Sequence, residues 1–560
     1  MNHRYRRPPR LLVLGLVSLL FVLLVAACGS RDKPQSGAIP DERQADAVTA
    51  VAPDATDADV ANAPQDQPAP TSTQEQSPSS AAANTASNDE SATASPAASG
   101  ASLDARLRTL IQQQGLTGDP SIGRDLPSID DPIAQLGKLL FFTKALGGDK
   151  DSACVTCHAP NLGGGDDLSL PIGVGADNPD LLGPGRTHPS GHPTVPRNAP
   201  TTFNIAMWDQ AIFHDGRIES LGKTPGADGA DGQGIRTPEV PLGVADPNAS
   251  KNLVAAQSRF PVTSPEEMRG FQFEAGNGAQ AARDHLAARL GDYGAGIGEL
   301  ANPAWLAEFE RAFNHKATPE RIITEQYIAE AIGRYERSQV FVNTPWKAYV
   351  QGDESALSES AKRGALLFFS PYEDGGANCA ACHSGDFFTD EQFHVLAIPQ
   401  IGPGKGDGPD GTDDFGRFRE TGQFADLYAF RTPSLLNVEE TGPWGHDGAY
   451  TTLEGIVRHH LNPAQAVATY DFSQLDPSVQ TEHTMENTTK ALAQLESNRK
   501  MGLLDPQYLA LTDGQVADLV AFLRSLTDPC VTNEDCLAPW MLDENDPDPD
   551  GLLLRIAQAP

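Results

Sequence analysis

The clearest pattern along the chain is an apolar stretch at helical spacing that occurs twice. Leu-Gly-Lys-Leu-Leu-Phe-Phe stands at 136–142, and Arg-Gly-Ala-Leu-Leu-Phe-Phe stands at 363–369. A polar loop follows each stretch, and each loop leads to a pair of cysteines. Because helix, loop and cysteine pair recur together, the pattern predicts a duplicated structural unit.

Two other stretches carry a helical period. One predicted helix covers 319–340, and a second covers 512–526, with Thr512 or Asp513 as its N-cap. Strand signals are sparse. Long segments rich in Gly, Pro and Asp separate the helices, and loops of this length usually wrap a site or a partner surface; they lie at 163–200, 222–252 and 399–414. The pattern therefore predicts a mostly α fold with long loops.

The amino terminus has the pattern of an export signal. Arginines precede an apolar run from Leu11 to Ala27, and small residues lead directly to Cys28. We expect residues 1–27 to be a lipoprotein signal peptide and Cys28 to be lipidated after cleavage. An uncleaved anchor and simple secretion remain alternatives, although the run is short for a span of about 20 residues. Each option delivers the chain across an inner membrane, and Gly29 weakly favours the outer membrane.

Residues 28–101 are rich in Ala, Ser, Asp, Pro, Thr and Gln, with hardly an aromatic side chain. Such a segment buries too little apolar surface to offset its ordering entropy, so we expect a disordered acidic linker. The rest is long enough for two or three domains, which we place at 102–345 and 346–530, with a tail at 531–560. The formal net charge of −34 argues against nucleic acid as a partner. It suits a basic electron donor, but solubility alone also explains it.

The two cysteine pairs match the pattern that attaches c-type haem. Each pair can form thioethers to a porphyrin, and the histidine that follows can ligate its iron; the residues are Cys154, Cys157 and His158, then Cys379, Cys382 and His383. These motifs use four of seven cysteines and predict two covalently bound haem c groups. Cys530 and Cys536 have no following histidine, and in an oxidising compartment we expect them to form a disulfide.

A co-linear series of motifs resembles the bacterial dihaem cytochrome c peroxidases, including the MauG-like enzymes. The resemblance spans roughly 125–530, and its segments are 196–201, 213–217, 430–437 and 445–448. It implies two cytochrome c-like haem domains, peroxidatic at 102–345 and electron-transferring at 346–530. It also implies reduction of hydrogen peroxide with electrons from a small cytochrome c or cupredoxin, and it leaves a homodimer as an option.

The resemblance assigns the catalytic pair of the first haem. Gln257 and Glu267 match the family's distal glutamine and glutamate. A carboxylate over the haem can move a proton between the oxygens of a peroxide, a kind of catalysis that contributes roughly 10²–10⁴-fold. We expect Glu267 to relay the proton and Gln257 to position the peroxide. Without the resemblance, Glu267 beside Glu266 would be read as a solvated surface acid.

The family also binds a calcium ion between its haem domains, through one Asn side chain and two backbone carbonyls. The matching residues are Asn198, Thr441 and Pro443. Amide and carbonyl oxygens suit this hard cation. The alternative is that Asn198 only caps a turn.

Several positions depart from the family pattern. The inter-haem tryptophan is replaced by His214, which either serves the electron path or only packs near a haem. The sixth ligand of the second haem falls on His460, with His459 beside it, where the family has Met or Tyr. Bis-His ligation would lower the haem potential relative to Met/His. His188 and His192 lie where some peroxidases carry a removable ligand, but neither matches the expected spacing.

Three functions follow, of which the peroxidase is the main expectation. A MauG-like oxidase would use high-valent iron to modify a side chain of a partner protein, and the changes at 214 and 460 keep this option open. A dihaem electron carrier without catalysis is the third option, but it would have no need of Glu267 and Gln257. The sequence gives no account of the insertion at 218–256.

Overall fold

Helices make up most of the regular structure in the computed structural model, which describes residues 102–504 and 508–556. They are α1 (Leu103–Gln114), α2 (Pro132–Phe142), α3 (Leu253–Gln257), α4 (Ala279–Gly291), α5 (Trp305–Ala312), α6 (Pro319–Ile322), α7 (Glu325–Arg337), α8 (Pro345–Val350), α9 (Glu359–Phe369), α10 (Phe418–Thr421), α11 (Leu453–Leu461), α12 (Pro463–Ala468), α13 (Thr484–Lys500), α14 (Asp513–Arg524) and α15 (Glu534–Leu537). A π-helix covers Pro265–Arg269. The expectation of a mostly α fold is confirmed.

The strands are short and form two small antiparallel sheets. Strands β1 (Ala211–Ile212), β2 (Ile218–Ser220) and β3 (Ile235–Arg236) pair in that order, and β4 (Phe393–Val395) pairs with β5 (Ala429–Arg431). In the second sheet His394 lies opposite Phe430. The insertion at 218–256 thus contributes β2, β3 and most of α3. It leads directly to Gln257, the last residue of α3.

The duplicated unit is a pair of crossed helices. Helix α2 packs on α7, and α9 packs on α14. Each crossing is centred on a glycine: a Cβ on Gly137 would lie 1.9 Å from the carbonyl oxygen of Ala331, and one on Gly364 would lie 1.9 Å from that of Asp518. The repeat seen in the sequence therefore reflects two helix pairs whose backbones touch.

The predicted helix at 319–340 is two helices, not one. Helix α6 ends at Ile322, and α7 begins at Glu325 after an extended Thr324. The hydroxyl of Tyr293 donates to the carbonyl oxygen of Ile323 at 2.8 Å, at the break between the helices. The helix at 512–526 is confirmed, because α14 begins after Thr512, whose hydroxyl accepts from the Gln515 amide.

Each helix pair lies in its own large hydrophobic core. Helix α1 packs into the core of the second pair, and the tail packs into the core of the first pair. The core around α2 and α7 contains Leu554 from the carboxyl-terminal tail. The core around α9 and α14 contains Leu107 and Ile111 of α1, together with residues of all strands of the first sheet. The described residues belong to one compact unit.

The predicted signal peptide, Cys28 and the predicted linker up to 101 lie outside the described residues. Within 102–504 and 508–556, no helix is both long enough and apolar enough to span a membrane.

Candidate functional site

The two cysteine-histidine motifs occupy equivalent places in the duplicated unit. Each follows its helix and a short loop, and each opens with a 3₁₀ turn, at Cys154–Thr156 and at Cys379–Ala381. The amide of His158 donates to the Cys154 carbonyl at 3.1 Å, and the amide of His383 donates to the Cys379 carbonyl at 2.9 Å. None of the four cysteines of the motifs takes part in a disulfide, so all four sulfurs are available for thioether bonds. Each turn therefore holds two sulfurs and one imidazole close together.

Both motif histidines are oriented alike by the backbone. Nδ1 of His158 lies 3.2 Å from the carbonyl oxygen of Gly164, and Nδ1 of His383 lies 3.1 Å from that of Phe388. A carbonyl can only accept, so Nδ1–H donates and Nε2 keeps its lone pair for a metal. Burial lowers the pKa of both rings, that of His383 to about 4, which keeps them in the neutral ligating form.

The second motif opens into a largely apolar cavity of about 350 Å³. His460 on α11 faces His383 across it, with ring centroids 6.2 Å apart. An imidazole nitrogen lies about 2 Å from a metal that it binds, so two rings on opposite sides of one ion have centres about 6 Å apart. Nδ1 of His460 lies 2.8 Å from the Ile456 carbonyl oxygen, which again leaves Nε2 for the metal.

His459 differs from its neighbour in both ring contacts. Its Nδ1 lies 2.7 Å from the hydroxyl of Tyr450, and its Nε2 lies 2.7 Å from the carbonyl oxygen of Leu396. Since both nitrogens are engaged, His459 has no free lone pair for a metal. Of the two adjacent histidines, only His460 has the geometry of a ligand.

Arg431 supplies a second test of whether this cavity suits haem. Its side chain lines the cavity, its Nε donates to the Phe213 carbonyl at 3.1 Å, and its guanidinium lies 3.3 Å over the ring of Trp208. Its buried Nη1 has no hydrogen-bond partner among the described residues, and burial lowers its pKa to about 9. An unpaired buried guanidinium nitrogen suits a carboxylate, which the haem propionates would supply. The residues of this cavity fit a haem group.

Cys382, Asp390 and His394 also come within 4.8 Å of one another. Nε2 of His394 lies 2.8 Å from the Asp390 carboxylate. A thiolate, a carboxylate and an imidazole can hold a metal ion. Cys382 belongs to the haem-attachment motif, however, and a thioether sulfur is no longer a thiolate. We therefore assign this group to the surroundings of the second haem.

Glu267 lies beside the first motif, in the π-helix. Burial raises the pKa of the Cys157 thiol most, the charge of Asp166 raises it further and that of Arg186 lowers it, and Glu267 makes a smaller contribution that raises it. The side chain of Glu267 is half-buried rather than solvated. Burial raises the pKa of Glu267, and the positive charges of Arg217 and Lys405 partly offset that rise. Gln257 is half-buried at the end of α3.

Two basic residues act on Glu267: Arg217, which ends the 213–217 segment named from the sequence, and Lys405, which the sequence did not single out. Lys405 is half-buried, and burial followed by the charge of Arg217 lowers its pKa. Lys405 lies 138 positions from Glu267 in the chain, in the long loop at 399–414. Only the length of that loop hinted that it would reach a site.

His214 and the predicted calcium ligands line the wall of the second cavity. Nε2 of His214 lies 3.1 Å from the Asn198 carbonyl oxygen, and burial lowers the His214 pKa to about 4. The Asn198 amide nitrogen donates to the carbonyls of Leu168 and Ser169 at 3.0 and 3.2 Å, which turns its side-chain oxygen away from them. Thr441 and Pro443 line the same cavity.

A buried ion network joins the two halves next to these residues. Arg197 donates twice to Asp414, at 2.7 and 2.8 Å, and once to Asp215 at 2.6 Å. The Arg197 charge offsets burial and lowers the Asp414 pKa to about 2. Arg197 precedes Asn198, and Asp215 follows His214, so the network fixes both. The sequence motifs include Arg197 and Asp215 but not Asp414, the second carboxylate that Arg197 binds, which lies 217 positions from it in the chain.

The ring hydrogen bonds of His188 and His192 are with residues outside the two motifs. Nδ1 of His188 lies 2.7 Å from the Ser190 hydroxyl, and Nδ1 of the exposed His192 lies 2.9 Å from the Ser478 carbonyl oxygen. These contacts are at the surface. Cys530 and Cys536 form a disulfide beside α15.

Comparison with known proteins agrees with this geometry. The sequence model of the di-haem cytochrome c peroxidase family matches residues 131–355. The methylamine utilization protein MauG of Methylorubrum extorquens is 29% identical over 327 residues, which are 58% of this chain and 67% of that protein. A cytochrome-c peroxidase of Denitromonas iodatirespirans is 27% identical and covers 78% of this chain and 92% of its own.

Two further relatives extend the comparison. The cytochrome c551 peroxidase of Pseudomonas aeruginosa is 26% identical over 329 residues, 59% of this chain and 71% of that protein. The solved structure of the diheme peroxidase BthA from Burkholderia thailandensis is 23% identical, with a TM-score of 0.46, over 78% of this chain and 93% of that one. The chain is similar to the dihaem cytochrome c peroxidases and MauG-like proteins, and these relatives support a peroxidase-type oxidoreductase with haem c cofactors.

Proposed function

We propose that this protein reduces hydrogen peroxide to water at a haem held by His158, using electrons that a small redox protein delivers through a second haem. The observation that carries the proposal is the position of Glu267, a half-buried acid in the π-helix whose Met268 carbonyl accepts from the Gly148 amide at 2.8 Å, in the segment that leads to the first motif. A carrier that only passes electrons has no use for such an acid.

When bound, haem supplies the redox chemistry. The protein holds each group by two cysteines and one histidine, and Glu267 handles the proton. Its ionised carboxylate takes a proton from one oxygen of hydrogen peroxide and gives it to the other, which leaves as water. Two electrons and two further protons complete the reduction to two waters. Gln257 orients the peroxide.

The second site serves electron transfer. His383 and His460 on opposite sides of one iron would leave no open position for peroxide. We propose that electrons enter here from a cytochrome c or a cupredoxin and pass toward the first site by way of His214. The acidic charge of the chain suits a basic donor.

The MauG-like alternative is favoured by His214 and His460. An imidazole at 214 is harder to oxidise than the indole of the family's tryptophan, and bis-His ligation would lower the potential of the second haem. Both changes would slow the use of a high-potential donor. In this alternative the oxidising power reaches a side chain of a partner protein.

We also propose a calcium ion at Asn198, Thr441 and Pro443, whose oxygens suit it. For the residues outside the described part, we propose export to the periplasm and a lipid anchor on Cys28, with the outer membrane favoured. A homodimer is part of the same proposal.

The decisive experiment is a turnover assay on the purified full-length holoprotein. Hydrogen peroxide is added with a reduced basic cytochrome c, and donor oxidation is followed for the wild type, Glu267→Gln and the matched control Glu266→Gln. We expect turnover that falls by about 10²–10⁴-fold only in Glu267→Gln. A long-lived oxidised state without donor turnover would favour the oxidase. Two haems that stay six-coordinate in the half-reduced protein would overturn both enzymes in favour of the carrier.

A further inference from the structure

Arg186 is a buried arginine in the long loop that follows the first haem motif. Only 4% of it is exposed, and within the described residues no carboxylate pairs with it. Its guanidinium instead donates to main-chain carbonyl oxygens, those of Ile172, Gly173, Asn178, Pro179 and Leu181, at 2.6–3.2 Å. A guanidinium bound in this way fixes the course of the backbone around it.

The fixed segment lies directly against the π-helix that carries Glu267. The amide of Val174 donates to the carbonyl of Glu266 at 3.1 Å. A Cβ on Gly173 would lie 2.3 Å from the Glu266 oxygen and 2.9 Å from Cα of Glu267. The two backbones are therefore in contact, with no room for a side chain between them.

The other side of the π-helix has the same arrangement. The amide of Gly148 donates to the carbonyl of Met268 at 2.8 Å, and a Cβ on Gly148 would lie 1.8 Å from the Arg269 oxygen. A second buried arginine, Arg289, fixes this segment by donating to the carbonyls of Gly147 and Gly148 at 2.6 and 3.1 Å.

We propose that Arg186 and Arg289 are positioning residues that brace two glycine-bearing segments against the Pro265–Arg269 π-helix and thereby hold the Glu267 carboxylate for proton transfer. A single π turn is uncommon and occurs mostly at functional sites. Here the contacts from Val174 and Gly148 add to its own hydrogen bonds, from the Arg269 amide to the Ser264 carbonyl at 2.8 Å and from the Gly270 amide to the Pro265 carbonyl at 3.2 Å. Proton transfer needs heavy atoms within about 2.6–3.2 Å, and a small displacement of the carboxylate is enough to slow it. This inference rests on the proposed role of Glu267.

The test uses the holoprotein with Arg186→Lys, which keeps the charge but cannot reach several carbonyls at once. Gly173→Ala is the second variant, because it pushes the π-helix away without disturbing a buried charge. Arg124→Lys is the control: Arg124 is a largely buried arginine that also donates to main-chain carbonyls, of Pro120 and Ala206, away from the π-helix. Peroxide turnover, covalent haem content and amide hydrogen exchange are measured for each.

We expect Arg186→Lys and Gly173→Ala to keep both haems and to lose at least tenfold in kcat. Amide exchange should accelerate at 172–176 and 264–270, and Arg124→Lys should change neither quantity. In a Glu267→Gln background, Arg186→Lys should cost little more, because both act through one carboxylate.

The proposal would be overturned if Arg186→Lys lowered kcat as much in the Glu267→Gln background as in the wild type. It would also be overturned if amide exchange at 264–270 were unchanged in both Arg186→Lys and Gly173→Ala. If Glu267→Gln itself keeps full turnover, the proposed function fails. The amide exchange data would still show whether Arg186 stabilises the π-helix.

Discussion

At the scale of single residues, ring contacts separate the histidines of this protein into two groups. His158, His383 and His460 each give Nδ1 to a backbone carbonyl and keep Nε2 free. His459 has both nitrogens engaged, and His214 uses Nε2 for the Asn198 carbonyl. The first group has the hydrogen-bond pattern of metal ligands. The second group has the pattern of residues that stabilise the fold or lie on an electron-transfer path.

The first prediction concerns His460. If it completes the coordination of the second haem, His460→Met replaces bis-His by Met/His ligation and raises the reduction potential of that haem. Spectroelectrochemistry of the holoprotein measures the shift haem by haem. The control His459→Gln should lower thermal stability, because two buried hydrogen bonds change, without moving the potential. A potential that moves in His459→Gln and not in His460→Met would reverse the assignment.

The second prediction concerns the pH dependence of turnover. Burial raises the pKa of Glu267 above the ordinary value for glutamate. The carboxyl must be ionised to accept a proton, so kcat/KM falls as the pH drops through this raised pKa, and the acid limb lies above pH 4.5. Wild type and Glu266→Gln should show this limb, and Glu267→Gln should lack it. An acid limb that persists unchanged in Glu267→Gln would assign it to another group.

The residues that sequence could assign are those whose partners are near in the chain. Cys154, Cys157 and His158 form a contiguous motif, and their chemistry follows from their spacing. Arg186 and Arg431 could not be assigned in this way. Their roles depend on carbonyls and a cavity that the long loops bring together only in the folded protein, and a lone arginine carries no sequence signal for that.

At the scale of elements, the duplicated unit is defined by where two helices cross. Gly137 on α2 and Gly364 on α9 occupy the same position in the repeat, and each meets the backbone of a second helix. The sequence repeat predicted α2 and α9 but not their partners. Periodicity shows which face of a helix is buried, whereas the partner depends on long-range packing. The break between α6 and α7 was missed for the same reason, since Tyr293 lies outside the periodic segment.

The third prediction follows from these crossings. Gly364→Ala places a methyl group 1.9 Å from the Asp518 carbonyl oxygen, so α9 and α14 must separate. Overpacking of this kind costs about 1–3 kcal/mol. Gly514→Ala in the same α14 is the control: Gly514 is exposed, and a Cβ there meets nothing closer than 4.0 Å. It should stabilise the helix by about 0.5–1 kcal/mol. Chemical denaturation followed by helical circular dichroism compares the two, and equal effects would contradict the packing argument.

At the scale of the whole molecule, each haem-bearing half contacts a segment from the far end of the described chain: α1 packs on the second half, and the tail packs on the first half. Asp104 of α1 accepts from Tyr349 at 2.8 Å and pairs with Lys362 at 2.9 Å, so the first helix is anchored in the second half. The tail returns to the first half, where Lys138 pairs with Asp546 at 3.0 Å. Neither contact was foreseen, because polar pairs more than 200 positions apart leave no local pattern. Because α1 and the tail each contact the opposite half, both segments help to set the distance between the halves.

The fourth prediction tests this attachment through Asp550. Its carboxylate accepts from the Thr143 hydroxyl at 2.9 Å and from the Trp305 indole at 2.8 Å, and it thereby joins the tail to the segment just before the first haem motif and to α5. Asp550→Ala leaves both donors without that partner in a largely buried place, which costs about 1–3 kcal/mol per group. The exposed Glu544→Ala is the control from the same tail.

Amide hydrogen exchange should show the tail and residues 143–150 opening together in Asp550→Ala, with protection around α9 and α14 unchanged. Since Gly148 lies against the π-helix that carries Glu267, peroxide turnover should fall as the tail detaches. A tail that exchanges faster while turnover and residues 143–150 stay unchanged would show that the first haem site does not depend on the carboxyl terminus.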